Sequence, residues 1–293
     1  MIISKTPYRI SFFGGGTDYP DWYKSNKSTV ISSTINHYSY VTIKDLPKIF
    51  KYKYRIRYYY REEAKNIKVI KHPVIKAALK YLKINDGLDI VHHGDLPARS
   101  GIGSSSSFSV GMLNALKSYK NKKLTKKELA QKSLFLEHTI LGENVGSQDQ
   151  VAVTYGGFNR IDFYKNSFKC KKIPISKKKI KKLESYIQLF FINQRNSQDV
   201  EKNKIAKISK HKNYNKQINK ISLKAYEMLV SKNENFIKDF GILLNSQWEL
   251  KKKLSKKVKN KSIDILYKKA IKNGAIGGKI LGAGGGGFLM MLV

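Results

Sequence analysis

With 293 residues, 41% hydrophobic and 27% charged, the chain has the size and balance of one large or two ordinary globular domains, and its single cysteine, Cys170, excludes a disulfide framework. No run approaches the ~18 apolar residues of a membrane span and the N-terminus lacks the longer apolar run of a signal peptide, so a soluble, cytoplasmic protein with no membrane partner is expected. The formal net charge of +36 is spread through runs such as Lys177-Lys178-Lys179 and Lys251-Lys252-Lys253 with no basic tail, so no specific nucleic-acid partner is expected, although polyanions should be attracted at low salt.

Pro7 to Phe13 reads as a strand that runs straight into Gly14-Gly15-Gly16-Thr17-Asp18. Such a turn lets backbone approach a ligand closely, and it offers amides, a hydroxyl and a carboxylate suited to sugar hydroxyls. The plainer reading is a hairpin turn in which Asp18 satisfies local N–H groups. Thr29 to Ser33 and Tyr38 to Ile43 are two further strand candidates, while Arg55 to Tyr60 alternates poorly. His72-Pro73 opens a helix carrying Val74, Ala77, Ala78, Tyr81 and Leu82. His92 and His93 would point opposite ways in an extended segment and have no third ligand nearby, so no metal is expected there.

Leu88 to Val91 reads as a strand, and Phe108, Met112, Ala115, Leu116 and Tyr119 mark one face of a helix. Between them lies Leu96-Pro97-Ala98-Arg99-Ser100-Gly101-Ile102-Gly103-Ser104-Ser105-Ser106-Ser107. Two glycines let the chain bend, and the first amides of the helix point at whatever sits at its positive end. That is an anion site, with phosphate the usual anion. Its serines would cap the helix or offer a hydroxyl to a phosphate-bound cation. A Gly/Ser loop with a serine cap and nothing bound is the alternative. This loop fits neither the P-loop nor the dinucleotide pattern.

Thr125-Lys126-Lys127-Glu128 is a capping box opening another helix, whose stripe Ala130, Leu134, Glu137, Leu141 places an acid on an apolar face. A buried Glu137 must be paired, neutralised or metal-bound, whereas at a rim it would simply reach solvent. Asp149 follows in a polar, glycine-broken segment and is a catalytic candidate if the helices pack as a pair. Phe158 to Phe168 is hairpin-like, and the basic stretch Ile175 to Lys182 reads as a linker between domains 1–180 and 181–293. Ile187 to Ile192 then reads as a buried strand, Asn193 to Ser197 as a polar loop, and long helical patterns cover 200–230, 233–254 and 263–273. The last element, Lys279 to Val293, reads as strand, glycine turn, strand, and five glycines in one turn imply close approach to another backbone or a ligand.

Three glycine-rich features in this order, Pro7 to Tyr19, Leu96 to Phe108 and Leu281 to Phe288, resemble the motifs of the GHMP kinases, which include galactokinase, homoserine kinase and mevalonate kinase. Arg9-Ile10-Ser11-Phe12 with Gly14 to Asp18, His72-Pro73 and Lys279 to Phe288 look most like the branch acting on D-glycero-D-manno-heptose 7-phosphate. The resemblance implies an α+β, two-domain fold: a ribosomal-protein-S5-like N-terminal domain and a ferredoxin-like C-terminal domain. Relatives usually continue past the third motif, so a truncated or minimal second domain is expected. The implied activity is ATP-dependent phosphorylation of the anomeric hydroxyl of the heptose 7-phosphate to the 1,7-bisphosphate. A fucokinase- or galactokinase-like sugar kinase is the alternative, and a nucleic-acid-binding protein on a kinase fold is the reading from another class.

Residue by residue, the resemblance implies that Pro97, Arg99 and Ser100 to Ser107 bind ATP, and that Ser105 (or its neighbour Ser104) and Glu137 hold Mg²⁺. Asp149 would be the base, with Arg9 beside it favouring its charged form. Gly15, Gly16, Thr17 and Asp18 would bind the sugar, with Gly284 and Gly285 shaping the substrate site. A substrate already carrying a phosphate needs a second anion site, for which Arg195 is the candidate. Whether the chain forms a homodimer is left open.

Overall fold

The computed structural model describes residues 1–194, 211–254 and 261–293. In chain order the first part comprises β1 (Ile2–Phe13), α1 (Pro20–Tyr23), β2 (Ser28–Asp45), β3 (Tyr54–Arg57), β4 (Arg61–Ala64), α2 (Pro73–Tyr81), β5 (Leu88–Gly94), α3 (Ser104–Tyr119) and α4 (Lys126–Phe135). A single π turn, Leu136–Ile140, leads towards α5 (Gln148–Tyr155), β6 (Phe158–Tyr164) and β7 (Ser167–Lys172). The rest consists of α6 (Lys177–Tyr186), β8 (Ile187–Asn193), α7 (Lys212–Val230), α8 (Ile237–Leu254), α9 (Lys261–Lys272), β9 (Gly277–Ile280) and β10 (Gly287–Leu292). None of the described helices is long and apolar enough to cross a membrane.

Among the described residues seven strands form the first sheet, in the order β4-β3-β5-β2-β6-β7 with β1 paired to β2. The two expected strands at 29–33 and 38–43 are one. β2 runs through the polar stretch between them because β1 pairs along its whole length, with the register shifting between Pro7 and Arg9 to absorb Ile35 to His37. β5 and β6 share the other edge of β2. The free edge of β1 therefore has main-chain groups that need partners from elsewhere. One face of this sheet buries Val41, Ile43, Ile56, Leu88 and Ile90 against α2 and α3.

The second sheet has the order β8-β10-β9 among the described residues. Its β10 joins a core that runs back to the first sheet, where Tyr8, Ile10, Phe12 and Phe13 pack with Phe236, Phe240, Leu244, Leu281 and Met290. Phe240 meets Phe13 edge-on at 5.0 Å between ring centroids. This shared core fixes the end of β1 against α8 and β10.

Two expectations fail here. The basic stretch at 175–182 is largely helix α6, capped by Ser176, whose side chain accepts from the Lys179 amide. Lys179 is buried and its Nζ donates to the carbonyls of Met228, Leu229 and Ser231 at 2.9–3.1 Å, neutralising the negative end of α7. β8 is also not a buried strand. Among the described residues it lies at the edge of its sheet, with Leu189, Phe190 and Phe191 at 36–47% exposure.

Candidate active site

β1 carries Arg9 into the middle of the site. Its guanidinium donates Nε to Asp149 Oδ1 at 2.8 Å, Nη2 to Oδ2 at 2.5 Å, and Nη1 to the Gly101 carbonyl at 2.7 Å. Its main-chain N–H donates to the Ile102 carbonyl at 3.0 Å. One buried residue thus grips both the serine loop and the carboxylate in the first turn of α5. The planar fork of arginine makes this possible, since it supplies parallel donors to the carboxylate and keeps another for the loop. Asp149 retains 24% exposure, so it lies at the rim of the cluster with a face open to a substrate.

The serine loop bends through positive φ at Arg99, Gly101 and Gly103. The expected serine cap is not formed. Gly103 occupies the N-cap of α3 without a side-chain bond, and the loop serines are used otherwise. Ser100 donates to the Pro97 carbonyl, Ser104 accepts from the Arg99 amide, and Ser107 donates to the Pro7 carbonyl. The first-turn amides of α3 are therefore left uncapped by side chains, as an anion site requires. Pro97, Arg99 and Ser105 are exposed, whereas Ser100, Gly101, Ile102, Ser106 and Ser107 are buried.

The C-terminal glycine turn lies directly against this loop. A Cβ on Gly101 would stand 2.5 Å from the Leu281 carbonyl, one on Gly282 would stand 2.7 Å from Gly101 Cα, and one on Gly287 would strike the Ser100 carbonyl. That same carbonyl accepts from the Phe288 amide at 2.9 Å. The close approach read from the sequence is thus backbone on backbone. Gly284 and Gly285, at φ +91° and +79°, form the tip.

Glu137 sits in the π turn and is 2% exposed. Oε2 accepts from Gln150 Nε2 at 2.5 Å, and Oε1 has no hydrogen-bond partner. Burial pushes its pKa up to about 8, the charges of Glu143 and Asp149 add to the rise, and Ser109 and Gln150 oppose it. Ser109 lies near enough to act on the carboxyl electrostatically, but its hydroxyl makes no well-formed bond. Ser105 is one turn before Ser109 on the same face of α3. A buried carboxylate with an orphaned oxygen beside a serine face is an oxygen donor set that suits a hard divalent cation.

The first glycine turn differs from expectation. Gly15 and Gly16 are partly open at φ +78° and +88°, but Thr17 is fully buried and Asp18 is 1% exposed. The Thr17 hydroxyl accepts from Ser28, while Asp18 accepts the amides of Gly16 at 2.9 Å and Gln148 at 3.3 Å. These two side chains brace the turn and present no surface to a sugar in this structure. Burial, then the charge of Asp149, raises the pKa of Asp18. Arg195 lies outside the described residues.

Several residues that sequence reasoning passed over complete the cluster. Gln148 accepts from the Ser11 hydroxyl at 2.6 Å, and Gln150 holds Glu137, so both neighbours of Asp149 are buried supports. Their signal was present in the Gln-Asp-Gln triplet. Lys251 Nζ donates to the Gly282 carbonyl. Lys279 reaches the end of β1 and Gln247 reaches Gly14 just after it, and neither residue type marks this role in the sequence.

Comparison with known proteins gives the cluster a family. The GHMP kinases N terminal domain matches residues 68–157, and the GHMP kinases C terminal domain matches residues 229–293. The chain is 32% identical to the D-glycero-alpha-D-manno-heptose 7-phosphate kinase of Campylobacter jejuni subsp. jejuni serotype O:2, over 100% of this chain and 89% of that protein. It is 25% identical to the galactokinase of Pyrococcus furiosus, again over 100% of this chain and 89% of the relative. Among solved structures, a D-glycero-D-manno-heptose 1-phosphate kinase from Bacteriodes thetaiotaomicron superposes with a TM-score of 0.79 at 23% identity, covering 100% of this chain and 88% of the other. With both halves matched in order and a relative aligned over the whole of this chain, the chain belongs to the GHMP kinases.

Proposed function

We propose that the chain is an ATP-dependent sugar kinase that phosphorylates the anomeric hydroxyl of D-glycero-D-manno-heptose 7-phosphate, giving the 1,7-bisphosphate and ADP. The observation that carries this reading is the single guanidinium of Arg9 joining Asp149 to the phosphate-type loop at Gly101. It sets a proton acceptor beside the place where a γ-phosphate would lie. The likeness to the Campylobacter relative supports the heptose. The names of the two heptose kinase relatives differ in phosphate position, so the position phosphorylated rests on the proposal.

In this mechanism residues 97–107 bind the ATP phosphates through the loop and the uncapped amides of α3. Glu137, through its orphaned Oε1, and Ser105 would hold Mg²⁺, which when bound neutralises charge on the transferring phosphates. Asp149 takes the proton of the anomeric hydroxyl as the sugar oxygen attacks the γ-phosphorus, and the bond to the ADP oxygen breaks. Arg9 fixes the orientation of Asp149 throughout. Gly15 and Gly16 on one side and Gly284 and Gly285 on the other line the sugar site, and Arg195 is the proposed partner of the substrate phosphate. Residues 1–180 carry the nucleotide side and residues 181–293 close the other wall.

The test is a substrate panel of heptose 7-phosphate, unphosphorylated heptose, fucose and galactose with ATP, read as ADP release and product phosphate position. Selective turnover of heptose 7-phosphate at the anomeric position supports the proposal. Preference for fucose or galactose moves the chain to that type of sugar kinase.

A further inference from the structure

The end of β1 and Gly14, the residue after it, are held by two buried side chains from the C-terminal half. Lys279 on β9 is 2% exposed, and its Nζ donates to the carbonyls of Ser11 and Phe12, each at 2.9 Å. Gln247 on α8 is 1% exposed. Its Nε2 donates to the Gly14 carbonyl at 2.6 Å, and its Oε1 accepts from the Gly14 amide at 3.3 Å. These contacts add buried side-chain partners to the main chain where β1 runs through its register shift into the glycine turn. An apolar residue would bury Lys279's position at lower cost, because a buried ammonium loses its hydration. Burial, with the nearby charges of Lys251 and Arg9, pushes its pKa well below the lysine range.

The same stretch of β1 supports the base from its side chains. Arg9 holds Asp149 and Ser11 holds Gln148, the residue preceding Asp149. Lys279 also opens the segment whose glycine turn packs on Gly101. A shift of β1 relative to β9 therefore moves Asp149 relative to the phosphate loop. The side-chain hydrogen bonds of Lys279 and Gln247 go to Ser11, Phe12 and Gly14 and not to Asp149, so any effect on Asp149 passes through that stretch of main chain.

We infer that Lys279 and Gln247 are positioning residues which, by gripping the main chain at Ser11, Phe12 and Gly14, set the place of Asp149 relative to the phosphate loop. This rests on the kinase reading above for its kinetic consequence, but not for its structural one. Asp149 then acts from a geometry imposed by the C-terminal half, and small displacements cost turnover before they cost binding.

The test uses the full-length chain with Lys279→Met and Gln247→Met, each keeping a long side chain while removing its polar contacts. Hydrogen exchange of residues 145–155, to which neither side chain is hydrogen-bonded, should quicken by about fivefold or more, with the α3 core unchanged. With ATP and heptose 7-phosphate, kcat should fall by about tenfold or more while KM for ATP stays within about threefold. Wild-type exchange across 145–155 would overturn the inference, as would a kcat loss no greater than the unfolded fraction. If Lys279→Met fails to fold, Gln247→Met decides the matter by the same readouts. If the wild-type chain turns over no sugar, the functional reading fails, and the exchange result alone decides this one.

Discussion

Arg9 and Asp149 lie 140 residues apart in the chain and meet through two hydrogen bonds of 2.8 and 2.5 Å. The arginine side chain is 3% exposed and the carboxylate 24%. Because the same guanidinium holds the Gly101 carbonyl, the base and the phosphate loop share an anchor on β1, while the loop is also packed against the Gly282 turn. Phosphoryl transfer asks a protein chiefly for such positioning, together with charge stabilisation.

Asp149→Asn keeps the size of the side chain and removes the proton acceptor. Its kcat should fall by about 100- to 10,000-fold in an ADP-release assay, with KM for ATP little changed. Stability should fall by only about 1–2 kcal/mol, because the partly open carboxylate is screened by solvent. Turnover near the wild-type rate would remove Asp149 from the role of base.

Gly282→Ala tests the contact between the two glycine loops. Its Cβ would stand 2.7 Å from Gly101 Cα, at a φ of +69° that alanine adopts at a cost of about 1 kcal/mol. The phosphate loop must yield, so KM for ATP should rise by roughly tenfold. KM for the sugar should move far less. Ala283→Ser, at an exposed neighbouring position, serves as the control. Equal rises in both KM values would show a general loss of fold instead.

What could be read from the sequence was whatever makes a local demand on the backbone. The positive-φ turns at Gly14 to Gly16, Gly101, Gly103 and Gly284 to Gly287 leave glycine in the sequence because other residues fit them poorly. The Thr125–Glu128 capping box was equally legible and is formed. What was missed depends on distant partners. A basic run looked like a linker because Lys179 reveals its carbonyl acceptors only once α7 is in place. Ile187 to Ile192 looked buried because an apolar run carries no mark of lying at a sheet edge. Asp18 looked available to a ligand until the amides of Gly16 and Gln148 closed on it.

Glu137→Gln removes the carboxylate proposed to take the cation while preserving a side chain of the same shape. Binding of Mn²⁺ in the presence of ATP, followed by its paramagnetic signal, should weaken by about tenfold or more. In chelator-treated protein the variant should be at least as stable as the wild type, since a buried carboxyl with an unpartnered oxygen is replaced by a neutral amide. Unchanged metal affinity would move the cation elsewhere in the site.

Acid should destabilise the protein through His92. Burial lowers its pKa to about 4, and the charges of His72 and His93 push the same way. Its Nε2 lies 3.0 Å from the Ser39 hydroxyl, and its ring lies against Phe108 at 4.6 Å on α3. The folded state therefore keeps the ring neutral where the unfolded chain, with an ordinary pKa near 6.5, binds a proton. The sign follows: stability is whole above about pH 6.5 and is lost as pH falls towards 4, by about 3 kcal/mol at most. His92→Gln keeps a polar group for Ser39 and cannot titrate, so urea unfolding should show a flatter stability profile between pH 6.5 and 4 than the wild type. The same slope in both proteins would assign the acid sensitivity to another group, with His72, whose pKa burial also lowers, the first to test.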